Sequence, residues 1–221
     1  MNISTAPIWV SALFIIGLVF VPILIARAVR KAALNAGFDP RKQQKISYGI
    51  YAFYGIIGIY ASILSLSGFL TIITRPPRAI VFLTLPILLF FILFTRTRLY
   101  KTLVEYIDIR DLIMIQIFRL VGFVFIVLYL LNYLSATFAL RAGPGDVITA
   151  VASIPIAYFV FTTKKWNILM AYLWNIFGLA DILLVVGTAI YLNNTTPTSI
   201  SELALFPYGL VAAFAPPTPP L

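Results

Sequence analysis

Apolar runs alternate with short polar loops along the whole chain. The runs cover about 8–30, 46–70, 79–95, 112–134, 147–162 and 168–192, and a shorter one at 203–215 ends in prolines. A helix crosses the hydrocarbon core of a bilayer with roughly 20 apolar residues, within a range that starts near 17. The pattern predicts an all-α fold: a single polytopic transmembrane helix bundle of six to seven spans. No Lys or Arg precedes Ile8, so the first run reads as a retained helix and not as a cleaved leader. The last segment is too short to cross alone; it finishes a crossing inside protein, re-enters, or is cut short.

The loops carry local stop and start signals. Gly37 followed by Asp39-Pro40 predicts a helix end and then an N-cap with proline at the first helical position. Arg75-Pro76-Pro77-Arg78 breaks the chain before the third run, which holds Pro86. Residues 96–111 alternate Leu99, Leu103, Tyr106 and Ile107 with charged positions, as in a helix lying at an interface, and Lys101 can pair with Glu105 one turn on. Gly143-Pro144-Gly145 reads as a turn, which makes Asp146 an N-cap of the fifth span or a solute-binding group at an outer mouth. Ser199 and Glu202 have capping-box spacing for the last segment.

Charge then orients the chain. Its formal net charge is +9 with 16 Lys and Arg among 221 residues, but these cations sit in loops between apolar runs, which encodes topology and not a nucleic-acid partner. Arg27, Arg30, Lys31, Arg41, Lys42, Lys45, Arg96, Arg98, Lys101, Arg110, Lys164 and Lys165 fall on one side; Arg75, Arg78 and Arg141 fall on the other. The positive-inside rule therefore places the N-terminus outside. A hydrophobic fraction of 62% and a mean hydropathy of +1.02 make lipid the solvent. Without Cys or His, thiolate metal sites and imidazole chemistry are excluded, and no metal or other cofactor is expected.

Candidate chemistry is sparse. Gln116 and Arg119 lie one turn apart inside the fourth run, and Asn175 and Asp181 lie in the sixth. An Arg within a span costs roughly 2.5–3.5 kcal/mol on insertion scales, so it faces the bundle interior, finds a partner or snorkels. Depth counted from the fourth and sixth runs offers Asn175 as the nearer partner and Asp181 as the charge partner, and puts Asp146 nearer the surface. Gly55, Gly58, Ser62 and Ser65 form a stripe of small residues that suits close helix packing. No nucleophile with a base, paired carboxylate or phosphate-binding Gly loop is present, so no catalytic residue is assigned.

Three polar patches recur in the second half: Gln116-Ile-Phe-Arg119-Leu-Val-Gly122, Phe138 to Asp146, and Trp174-Asn175-Ile-Phe-Gly178-Leu-Ala-Asp181. In them the chain resembles a group of small bacterial polytopic membrane proteins without an assigned activity. The expectation is a non-enzymatic protein of a bacterial plasma (inner) membrane, partnered by the lipid bilayer and by other membrane subunits. Its role is that of an accessory or structural subunit. The alternative is a small-solute or ion transporter or channel that uses an intramembrane polar centre of Arg119 and Asp181.

Overall fold

A computed structural model describes residues 6–159, 165–196 and 202–214. All regular structure among them is helical. Helix α1 spans Ile8–Asn35 and α2 Pro40–Leu66. A π-helical turn, Ile80–Thr84, leads into α3, Leu85–Phe94, and α4 follows at Arg98–Tyr106. Helix α5, Ile109–Ile115, runs through a 3-10 stretch, Gln116–Gly122, into α6, Phe123–Leu130. The long α7, Ala136–Phe159, and α8, Lys165–Thr195, come next. Two 3-10 turns at Glu202–Ala204 and Tyr208–Leu210 precede the four-residue α9, Val211–Phe214.

Five of these helices are long and apolar enough to cross a membrane: Ile8–Asn35, Pro40–Leu66, Ile109–Leu130, Ala136–Phe159 and Leu169–Thr195. The third predicted run behaves differently. Ile80–Phe94 is about 22 Å long at ~1.5 Å per residue, and the chain bends by 83° into α4. Pro86 cannot donate to the helix ladder, and the helix widens to a π turn just ahead of it, a common accommodation of a local break. The 203–215 run does not form a spanning helix within its described residues. Its short turns lodge against α1 and α2, where Tyr208, Leu210 and Ala213 are buried.

The helix α5–α6 is the centre of the molecule, half buried over its apolar stretch, whereas the other four expose most of theirs. Val10, Phe14, Leu18 and Val21 of α1 are buried at helical spacing, and Gly17 lies against Val121. Phe14 also packs on Phe125 and Tyr208, with ring centroids 6.2 and 5.1 Å apart. The outward faces are apolar instead of charged: Ile56, Ile59, Ile63 and Leu66 of α2 all stand exposed. Between helices in lipid there is little hydrophobic gain, so such a bundle is held by close van der Waals contact and interhelical polar bonds.

Local signals act as expected around residue 37. Gly37 adopts φ +74°, the Phe38 N–H reaches back to the Ala33 carbonyl at 3.0 Å, and Asp39 accepts from the Lys42 N–H at 2.9 Å to start α2. Helix α4 docks Leu103 against Ala32 and Ala33 of α1. Lys101 does not pair with Glu105; the ion pairs here tie Lys31 of α1 to Asp108 at 3.0 Å and Asp111 at 2.8 Å. The small stripe of α2 is only partly a contact. A Cβ on Gly58 would meet Phe214 at 3.1 Å and Ser65 is buried, but Gly55 faces open space. Ser62 spends its hydroxyl on the Gly58 carbonyl at 2.7 Å. Ser199 lies outside the described residues.

Candidate functional site

The predicted turn at Gly143-Pro144-Gly145 is not a turn. Helix α7 begins at Ala136 and carries Pro144 in its interior, so Arg141 is helical as well. In water a Gly-Pro-Gly run would break a helix; away from water an unpaired backbone group is costly and the helix continues through it. The glycines provide close approach on two faces. A Cβ on Gly143 would meet the Gly122 carbonyl at 3.0 Å, and one on Gly145 would overlap the Asp181 carboxylate. Asp146 is therefore not an N-cap, because the helix starts ten residues earlier and carries it in its interior.

Arg119 sits in the 3-10 stretch and is 3% exposed. It is buried in the bundle and does not snorkel. Its Nε donates to Asp146 Oδ1 at 2.6 Å, its Nη1 to the Gly178 carbonyl at 3.1 Å, and its Nη2 to Asp181 Oδ2. One guanidinium thus joins the central helix to α7 and α8. The Asp181 side chain is 6% exposed and that of Asp146 20%. The 3-10 stretch helps to set the depth. It rises about 2.0 Å per residue against 1.5 Å in an α-helix, so the backbone itself carries Arg119 toward Asp181.

Each ionic group rests on a glycine. A Cβ on Gly122 would overlap Asp146, one on Gly145 would overlap Asp181, and one on Gly178 would stand 3.0 Å from Arg119 Nη1. Every helix that contributes a charge also contributes a gap for a neighbour's charge. Trp174, one turn before Gly178, donates its indole N–H to the Thr149 carbonyl at 3.1 Å, and Thr149 Oγ1 donates to the Gly145 carbonyl at 2.8 Å. The first of these bonds fixes α8 against α7 beside the ion centre, and the second lies within α7.

Gln116 and Asn175 lie next to Arg119 but do not bond to it. They line a cavity of about 10 Å³ together with Arg119, Thr149, Trp174 and Gly178. Gln116 is 7% exposed. Sequence reasoning thus named Arg119 and Asp181, and missed that Asp146 completes the centre. The available signal was Gly122, Gly145 and Gly178, each near a charged residue in sequence. No group of three or more His, Cys, Asp or Glu residues suited to a metal occurs among the described residues.

The molecule is thus an all-helical bundle with five helices fit to cross a bilayer and an Arg–Asp–Asp centre joining three of its helices. The chain belongs to the family described as Domain of unknown function (DUF8737), which it matches over residues 76–217. That stretch holds the whole ion centre. No curated protein and no solved structure matches the chain.

Proposed function

We propose that the protein is a non-enzymatic integral membrane protein of a bacterial inner membrane, with its N-terminus outside, that serves as an accessory or structural subunit of a membrane complex. The supporting observation is the closed centre. Arg119, Asp146 and Asp181 are turned toward one another, and the adjoining cavity of about 10 Å³ has room for about one water. Such a centre serves to lock helix register. The apolar outward faces suit lipid and neighbouring subunits.

The contacts at the two ends of the bundle favour the proposed orientation. Lys31 meets Asp108 and Asp111 at one end. Arg75 donates to the Asn194 carbonyl at 3.3 Å, and Asn193 to the Thr74 carbonyl at 3.0 Å, at the other. The cation-rich loops gather at the first end, which the proposal places inside.

A second reading, a small-solute or ion transporter or channel, draws on one feature. Two carboxylates meet a single guanidinium at mid-span, and ionisable groups at such depth often mark ion pathways. Purification from native membranes in mild detergent separates the two. A stoichiometric co-purifying membrane protein, with no flux from the isolated chain in liposomes, supports the accessory role; solute or ion flux from the chain alone overturns it.

A further inference from the structure

We propose that the Arg119 centre is a proton-binding site, in which the Asp146 and Asp181 carboxylates together hold one proton alongside the guanidinium. The inference goes beyond either reading above, since it concerns what the centre binds and not what the protein assembles with or moves.

The first support is a census of charge. Around the centre pack the 3-10 stretch, α1, α6, α7 and α8. The 3-10 stretch contributes Arg119; α7 contributes Asp146, with Arg141 on its exposed face; α8 contributes Asp181. The part of α1 in contact, Phe14 to Val21, is uncharged, and α6 holds only Tyr129 as a titratable group. Lys31 pairs with Asp108 and Asp111 at the start of α5, where Arg110 also lies, two turns or more along the helix from Arg119. Among the described residues, one positive charge thus faces two acids. With both ionised the centre would carry an uncompensated negative charge in low dielectric, which is among the costliest arrangements a fold can hold. One proton removes it.

The second support is geometric. Each carboxylate gives one oxygen to Arg119, Oδ1 from Asp146 and Oδ2 from Asp181. The second oxygens, Asp146 Oδ2 and Asp181 Oδ1, accept no hydrogen bond from any described residue and lie over Gly122 and Gly145. Either can take the proton while its partner oxygen keeps the bond to the guanidinium. The chemistry is a simple addition, in which a carboxylate and a proton give a carboxylic acid and no other bond changes.

The third support is a route. The cavity beside Arg119 holds space for about one water, and Gln116, 7% exposed and with no hydrogen bond to another described residue, lines it with Asn175. One water there would lie between these amides and the guanidinium, a single step from the centre.

Infrared spectroscopy of the whole protein in detergent at neutral pH tests this. A carboxylic-acid carbonyl band that shifts in deuterated water is expected, and it should move again when the aspartates alone carry ¹³C at the carboxyl. Asp146→Asn and Asp181→Asn should each abolish the band, because the remaining acid then balances Arg119; Arg119→Gln should strengthen it about twofold. A wild-type spectrum without the band overturns the proposal, as does a band that survives both single substitutions or responds to ¹³C-glutamate and not ¹³C-aspartate. Thermal stabilisation by sodium over choline at constant ionic strength, without the band, also overturns it and makes the counterion a metal cation. Should a variant fail to fold, the labelled wild-type spectrum decides.

Discussion

At the residue scale, the centre depends on three missing side chains as much as on three charges. Gly145 is the most demanding, because a methyl there would overlap the Asp181 carboxylate. Gly145→Ala should separate α7 from α8 and cost about 2–4 kcal/mol, combining overpacking with a disturbed buried ion pair. Gly55→Ala, on the exposed face of α2 where nothing lies within contact, should be neutral or raise stability by up to about 1 kcal/mol. Thermal unfolding in detergent reads both, and equal losses would show that the two glycines do the same job. Arg119→Gln and Asp181→Asn should each destabilise by about 1.5–3 kcal/mol, since each removes a buried charge-assisted hydrogen bond between the central helix and α8, and the double variant should lose less than the sum of the two. Strictly additive losses would rule out their coupling. Arg119 and Asp181 were legible in the sequence because a charge in an apolar run always demands an account. Asp146 was not, because Gly-Pro-Gly has the local chemistry of a turn and only the absence of water makes it helix.

At the element scale, the segments that sequence patterns describe least well are the ones whose form depends on neighbours. The stretch 203–214 has too few residues to cross, and it becomes a buried wedge because α1 and α2 provide its walls. Tyr208 meets Ser11 with hydroxyls 3.2 Å apart, and Phe214 rests over Gly58 and 5.5 Å from the Tyr54 ring. Gly58→Leu should expel Phe214 and lower the unfolding temperature, and truncation before residue 203 should then make the same substitution nearly silent. A loss that persists in the truncated chain would mean that Gly58 acts elsewhere. The junction between α4 and α5 is tied to α1 by electrostatics. Burial alone would push the Asp108 carboxyl up, but the Lys31 ammonium and the Arg110 backbone N–H hold it below its usual value. A depressed acid adds stability that is present above the ordinary carboxylate range and is lost as pH falls through the lowered value. Asp108→Asn keeps the cap on α5, should cost under about 1 kcal/mol as an exposed pair does, and should flatten the acid end of the stability profile. An unchanged acid limb would leave Asp108 without that role.

At the scale of the whole molecule, hydrophobic periodicity predicts an all-helical bundle, and the chain is one, with five helices of crossing length and a bent pair where another span was expected. Ile80–Phe94 matches the expected run to within a residue at each end, and what hydropathy does not foretell is the bend into α4. Orientation is the expectation that charge carries furthest. Cations concentrate at the end where Lys31 meets α5, and at the other end Arg75 and Arg78 bond to the Asn194 and Phe69 carbonyls. Because the chain lacks Cys, single introduced cysteines report without background. Ser67→Cys, just past α2, and Lys101→Cys, on the outward face of α4, are both at exposed positions and lie at opposite ends. In intact cells an impermeant maleimide should label the first and spare the second, and inverted vesicles should reverse the pattern. Labelling of both from one side would mean that α3 and α4 do not return the chain across the bilayer, and labelling of Lys101→Cys alone would turn the whole bundle over.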